Sequence, residues 1–359
     1  MLYTVAPRQP RLLERLGYRN VAEANEAPRW VSVHGLGTPA RRAELETWLA
    51  DARPDASKIE DATPDEVDSA INVEWRQARK VPLTEASSLR AFARVSSEEA
   101  DRDLAVAATS LGFLARLVGE KPELKTEWTI YLLDRQEDTN RFIDSYPGLE
   151  ADKRARARLL GSMWMPGKTR CGVWGVDPEE RADMVCKQVA VRFLDARFGI
   201  KTKRGWLVES LGLYINRLVV GTRLSRHVAI TDYTKPGEVP RSLGLEDPSA
   251  DWLAIAARTL ADMDTRDFAR ALGRNTSEMT SEDVVVTYGL VAFLCERADS
   301  LALKSILEQV GSDSASSVGA IEAYFSLPLF EVQLQLQVWL EEVSLVDADT
   351  ANEESSLFR

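Results

Sequence analysis

Strand-like and helical segments alternate between residues 85 and 204, and this alternation constrains the fold more than any other feature of the chain. Three segments have the alternating or β-branched and aromatic pattern of strands: LRAFARVSS, Thr126–Asp134 and Thr169–Val176. Between them lie a helix-spaced stretch, Glu98–Val118, and a shorter helical segment that ends before Pro147. This order predicts an α+β domain in which a small mixed sheet is flanked by helices.

A long helix is predicted directly after the third strand. Asp177 can cap its start, Pro178 suits its first turn, and Gly199 can end it. Its apolar positions recur at helical spacing on one face: Met184, Val185, Val189, Phe193 and Leu194. The sheet-containing region therefore ends in a helix that packs one side against the core.

The length of the chain, 359 residues, allows two or three structural units at roughly 150 residues each. We expect an appended N-terminal region at residues 1–84, with a short strand in APRWVSV and a helix in TPARRAELETWLADARP. The sheet-containing lobe covers residues 85–204, and a mostly α-helical C-terminal lobe covers residues 205–345. Residues 346–359 are polar and are predicted to form a disordered tail.

The first helix of the expected C-terminal lobe contains a carboxylate in apolar surroundings. RGWLVESLGLYINRL reads at helical spacing, and Glu209 is surrounded in it by apolar and aromatic residues: Trp206, Leu207, Val208, Leu211, Leu213, Tyr214 and Leu218. A carboxylate buried there is costly unless it is paired or bound to a cation. Two interpretations stay open: the residue lies on a solvated edge of an amphipathic helix, or it is a metal ligand or the relic of one.

The charge of the chain argues against two classes of partner. The net charge is −11, whereas nucleic acids and anionic membranes bind basic surfaces. No apolar run approaches the ~18–20 residues of a membrane span, and the start of the chain lacks the long apolar region of a secretory signal. We therefore expect a soluble protein without membrane insertion, cytoplasmic as the sequence stands and exported if a leader was removed.

Few residues are available for nucleophilic or metal chemistry. The chain has two histidines, His34 and His227, and neither lies in a nucleophile motif. The three cysteines, Cys171, Cys186 and Cys295, form neither a disulfide framework nor a zinc ribbon. We expect buried thiols, with a single Cys171–Cys186 disulfide as the alternative.

The order of elements, followed by a helix that carries W-L-x-E, resembles the gluzincin, or peptidase MA-like, metallopeptidases. In that family the long helix carries H-E-x-x-H, whose two histidines bind zinc and whose glutamate activates a water. The next helix begins like P-x-W-L-x-E-G-x-A-x-Y, and its glutamate is the third zinc ligand. The residues that match this pattern are Trp206, Leu207, Glu209, Leu211 and Tyr214, while Ser210 and Gly212 stand where glycine and alanine are usual.

The resemblance extends over roughly residues 85–345. MTSEDVVVTYGLVAFLCERADSLALKSILEQV is similar to the helix pair that follows the site in the family, and AIEAYFSLPLFEVQLQLQVWL is similar to its final segment. The resemblance implies a gluzincin-like fold, in which the small mixed sheet precedes a mostly α-helical lobe and the site lies in a cleft between the lobes.

The catalytic motif itself is missing. Aligning the long helix with H-E-x-x-H places Lys187 at the first histidine, Gln188 at the catalytic glutamate and Val191 at the second histidine. An ammonium group and an isopropyl group do not ligate zinc, and an amide is too weakly basic to take a proton from water. A shifted alignment does not restore the site, because no histidine occurs between Met163 and Arg226. The sequence therefore predicts no bound metal and no cofactor.

The resemblance also implies what the remaining site residues do. We expect Lys187 and Glu209 to form an ion pair that replaces the charge of the zinc, with separate solvated side chains as the alternative. Trp206, Tyr214, Trp164 and Arg170 are candidate residues of the former cleft; for Trp164, burial in the core is the alternative.

Together these observations predict a pseudopeptidase, a catalytically inactive metallopeptidase-like protein that acts as a binding or scaffolding module for a protein or peptide ligand. Two alternatives stay open. One is a hydrolase or peptidase with non-standard active residues, and the other is a structural module of a larger envelope assembly.

Overall fold

The computed structural model describes residues 39–357 apart from 86, 159, 176, 224–242, 244, 246, 248–249 and 313–314. The chain divides into two compact units. The sheet unit consists of Glu44–Ala196 and Ile215–Ser225. The helical unit consists of Arg197–Tyr214 and the described residues of Met1–Ala43 and Arg226–Arg359. Both histidines and the expected strand in APRWVSV lie outside the described residues.

A mixed β-sheet forms the centre of the sheet unit. Its strands are β1 Glu60–Asp61, β2 Gln77–Thr84, β3 Ser87–Ala93, β4 Trp128–Leu133, β5 Ser162–Trp164 and β6 Arg170–Trp174. They are arranged in the order β1-β2-β3-β4-β6-β5, in which β3, β4 and β6 are parallel neighbours and the other pairs are antiparallel. The predicted α+β class and the small mixed sheet are confirmed.

Helices accompany this sheet along the chain. They are α1 Pro39–Ala52, α2 Glu66–Ala70, α3 Ser97–Leu117, α4 Gln136–Ser145, α5 Ala151–Ala157 and α6 Pro178–Phe198, with a 3-10 turn at Ala56–Lys58. The sequence accounts for the two longest. A capping box joins Ser96 and Glu99 at the start of α3, and the Asp177 carboxylate accepts hydrogen bonds from the Glu179 and Glu180 amides at the start of α6, at 2.8 and 2.9 Å.

The sheet extends further towards the N-terminus than the sequence predicts. β2 pairs with β3 in a register that runs from Gln77 opposite Ala93 to Thr84 opposite Ser87. Residues 77–84 therefore belong to the sheet, although the sequence assigned them to the appended region at residues 1–84. The reason is that β2 mixes polar and apolar residues without a regular period, and among its side chains only Val81 is buried. Such a strand lacks the apolar alternation by which strands are recognised.

The helical unit has seven helices in the described residues. They are α7 Gly205–Val219, of which residues up to Tyr214 belong to this unit, α8 Trp252–Ala261, α9 Thr265–Gly273, α10 Ser281–Arg297, α11 Ser300–Gly311, α12 Ser317–Phe325 and α13 Leu329–Leu357. Every residue of α10 from Asp283 to Cys295 is buried, which is typical of a central helix. A Cβ atom at Gly289 would lie 3.1 Å from both Ala256 and Leu340, so α10 packs closely against α8 and α13.

The C-terminal helix differs from the prediction. α13 continues to Leu357, so a helix covers most of the residues 346–359 that the sequence predicts to be disordered. In the described residues no helix has the length and the apolar character that a bilayer crossing requires.

Candidate functional site

The predicted vestigial motif lies on α6, in the sheet unit. Lys187 and Val191 are one helical turn apart and therefore share a face of the helix, and both side chains are half-buried. Gln188 lies beside Lys187 and is also half-buried. The three predicted positions therefore lie on one helix, and none of them carries a residue type that a two-histidine zinc motif needs.

Gln188 has a packing role. Its side-chain amide donates a hydrogen bond to the Ser162 hydroxyl at 2.7 Å, and its backbone carbonyl accepts a hydrogen bond from the Trp164 indole at 3.1 Å. Both partners lie on β5, which forms one edge of the sheet. Gln188, which the sequence predicts to replace the catalytic glutamate, therefore fastens α6 to an edge strand.

Trp164 is held in an aromatic cluster. Its ring meets the Trp128 ring edge to face, with the centroids 5.4 Å apart. The Arg192 guanidinium lies 5.9 Å from both ring centroids and forms an ion pair with Asp195 at 2.9 Å. Since Trp164 is half-buried and hydrogen-bonded, the core interpretation fits it better than the cleft interpretation.

On α7, the side chains predicted at the cleft lie in the interior of the helical unit. Trp206 is fully buried, and its indole donates a hydrogen bond to the Ser317 hydroxyl at 2.9 Å. Tyr214 is buried and meets the ring of Tyr288 edge to face at 6.2 Å. The two residues that the resemblance assigns to the former cleft are therefore interior residues, which contact the start of α12 and α10.

Glu209 is 1% exposed, so the interpretation as a solvated helix edge is wrong. The next residue, Ser210, shares a buried hydrogen bond with Thr287 of α10 at 2.8 Å. A carboxylate at this depth needs a compensating partner. Lys187 belongs to the sheet unit and Glu209 to the helical unit, and the ion pair between them stays a prediction.

Arg170 belongs to a charged network that sequence reasoning missed. We call it the sheet cluster: Asp65, Asp68, Arg90, Tyr131 and Arg170. Arg90 and Arg170 project from β3 and β6, and both guanidinium groups contact the same oxygen of Asp65 at the start of α2. Asp68 accepts a hydrogen bond from the Tyr131 hydroxyl at 2.6 Å and lies 3.3 Å from Arg90. Arg170 also donates to the Tyr131 oxygen at 3.1 Å.

The electrostatics of the sheet cluster suit stability better than catalysis. Although burial acts to raise it, hydrogen bonds from the Asp68 amide and Arg90, with the charge of Arg170, lower the pKa of Asp65 to about 2. Burial and the hydrogen bond to Asp68 raise the pKa of Tyr131. A carboxyl group whose pKa is lowered beside two arginines, and a phenol whose pKa is raised, do not exchange protons near neutral pH. The cluster fastens α2 to the strands.

The described residues do not fit a zinc ion. In the described ranges no group of three histidine, cysteine or acidic side chains is arranged to hold a metal. At the motif positions themselves the donor set is an ammonium, an amide engaged with Ser162, and a valine. The cysteines are buried and unbridged, so the Cys171–Cys186 disulfide is not formed, and burial raises the pKa of both these thiols.

A pocket of about 540 Å³ lies within the helical unit and was also missed from the sequence. We call it the helical-unit pocket. It is formed by α8, α9 and the start of α10, and its wall includes Ile255, Arg258, Asp262, Arg270, Arg274 and Asp283. The residues come from separate helices of a region whose pattern indicates only core packing, so no local motif marks them.

Comparison with protein-family models, with curated proteins and with solved structures gives no significant match to this chain.

Proposed function

We propose that the chain is a catalytically inactive, metallopeptidase-like protein of gluzincin type that serves as a binding or scaffolding module for a protein or peptide. The gluzincin assignment rests on the order of elements around α6 and on the W-L-x-E sequence at the start of α7. The mixed sheet, the long helix α6 and the helical unit after it are compatible with that assignment.

The observation that carries the proposal is the hydrogen bonding of the Gln188 side chain. An amide cannot take a proton from water, and here it is committed to Ser162 at 2.7 Å. On the same helix, Lys187 and Val191 carry residue types that do not serve as zinc ligands. A helix with these residues keeps its packing function in the fold while the hydrolytic chemistry is gone.

The proposal is tested by a cleavage assay on the purified chain with unstructured protein and peptide substrates, with added zinc and with a chelator. We expect no cleavage above the protein-free background under either condition. Cleavage that zinc stimulates and the chelator abolishes would contradict the proposal. Cleavage that the chelator leaves unchanged would favour the hydrolase with non-standard active residues.

The predicted ion pair can be tested by a double-mutant cycle on Lys187→Met and Glu209→Gln. If the two groups compensate each other, the double variant should be more stable than the sum of the single losses implies, with a coupling free energy of about 1–3 kcal/mol in urea unfolding. The matched control replaces Glu209→Gln by Glu179→Gln, an exposed acid two turns before Lys187 on α6, for which we expect no coupling. If the stability losses are additive in both cycles, the predicted ion pair between Lys187 and Glu209 is contradicted.

A further inference from the structure

The helical-unit pocket has the dimensions of a small-ligand site. Its volume of about 540 Å³ lies within the range of roughly 300–1,000 Å³ that is usual for such sites. Its wall combines apolar surface, from Ile255 and Met263, with charges of both signs. A pocket of this kind can hold a ligand that has an apolar body and charged ends.

Part of its charge is already compensated within the wall. The Arg274 guanidinium forms an ion pair with Asp283, which is almost fully buried and also accepts a hydrogen bond from the Thr280 amide at 2.7 Å. These contacts join the end of α9 to the start of α10. Arg270 pairs with Asp267 at 2.6 Å, but both side chains are about half exposed, so this ion pair contributes little and leaves donors of Arg270 available.

Two charges on α8 remain for a ligand. Arg258 and Asp262 both line the pocket, both are exposed, and within the described ranges neither forms an ion pair. Asp262 is the C-cap residue of α8. A carboxylate at the negative end of a helix dipole is unfavourable, and a bound cation would relieve this repulsion. Arg258 offers a planar set of donors that suits a carboxylate.

The positions of the two residues on α8 limit the size of the ligand. Arg258 and Asp262 are four residues apart, so their backbone positions are separated by about 6 Å along the helix axis. The two termini of an extended dipeptide are separated by up to about 7 Å. We propose that the helical-unit pocket binds a short zwitterionic peptide of dipeptide size, with its ammonium group at Asp262, its carboxylate at Arg258 and Arg270, and its side chains on the apolar wall. The assignment uses no residue of α6, so it is separate from the proposed loss of catalysis.

The experiment is a calorimetric titration of the full chain with three probes: the dipeptide Ala-Leu, its N-acetylated form and its C-terminal amide. Each capped form lacks one charge and keeps the size of the ligand. We expect Ala-Leu to bind. Each capped form should bind with an affinity at least about ten-fold lower, since a charged hydrogen bond is lost. Equal binding of the three probes, or no binding of Ala-Leu up to about 10 mM, would overturn the assignment.

Substitutions locate the site. Arg258→Gln should weaken binding of Ala-Leu about ten-fold and should reduce the preference over the C-terminal amide, because only Arg270 then contacts the carboxylate. Asp262→Asn should abolish the preference over the N-acetylated form. The control is Arg266→Gln, an exposed arginine of α9 that is not part of the pocket wall. All three residues are at the surface, so folding should be preserved. Unchanged binding in both pocket variants, or an equal loss in the control, would contradict the proposal.

Discussion

Replacing Gly311 with alanine is expected to destabilise the helical unit by about 3 kcal/mol or more, because the new methyl group would overlap backbone. A Cβ atom at this position would collide with the Phe198 carbonyl oxygen and lie 2.9 Å from its carbonyl carbon. Phe198 is the last residue of α6 and, like Gly311 at the end of α11, belongs to the helical unit, so these two residues meet without a side chain between them. Backbone atoms cannot rotate away as a flexible side chain can, and relief requires that one helix end move.

The matched control is Gly273→Ala. Gly273 is also the last residue of its helix, and a Cβ atom there would have no neighbour within 4 Å. Alanine should leave stability unchanged or raise it by about 0.4–1 kcal/mol through the unfolded state. Urea unfolding, followed by circular dichroism, measures both changes. Similar stability of the two variants would show that Phe198 and Gly311 do not approach as closely as described.

A second large loss is expected from Arg181→Met in the sheet unit. The Arg181 side chain is fully buried, and its Nε atom lies 2.7 Å from the equally buried Asp103 carboxylate of α3. It also pairs with Glu99 at 2.9 Å. Hydrogen bonds from Ser96 and Arg181 lower the pKa of Glu99 to about 2. Removing Arg181 takes an arginine partner from the buried Asp103 carboxylate. Breaking a buried ion pair in this way typically costs about 3–5 kcal/mol of stability.

Two further variants separate the charge effect from the packing effect. The double replacement Arg181→Met with Asp103→Leu removes both buried charges and should recover most of the stability, since apolar residues of similar size can replace a buried ion pair. Arg158→Met breaks an exposed ion pair with Asp144 and should cost less than about 1 kcal/mol. If the double variant is as unstable as Arg181→Met alone, the loss comes from packing and the electrostatic explanation fails.

The elements with strong local signals were predictable from the sequence. Asp177, Pro178 and Gly199 delimit α6, and Gly199 adopts a left-handed conformation with φ of 69° at the helix end. The strands β3, β4 and β6 were recognised because their apolar and β-branched residues leave a periodic or continuous pattern. Each of these signals lies within a few residues and needs no knowledge of the tertiary structure.

The contacts that define the candidate sites depend on residues far apart in the sequence. Arg170 meets Asp65 across 105 residues, and Gln188 meets Ser162 on a strand of three residues, too short to show a period. The sequence identified Glu209 as an unusual carboxylate, but its burial follows from packing against other helices. Trp206 and Tyr214 were placed at a cleft by resemblance, and the partners Ser317 and Tyr288 could not be read from their own helix.

The central claim, a metallopeptidase-like fold whose zinc site has been lost, is tested most directly by zinc stoichiometry in the native chain and in a rebuilt variant. The variant carries Lys187→His, Gln188→Glu and Val191→His, which restores H-E-x-x-H on α6. We expect no zinc retained by the native chain and about one zinc per chain in the variant, with Glu209 as the third ligand. Stoichiometric zinc in the native chain, or none in a correctly folded variant, would contradict the account.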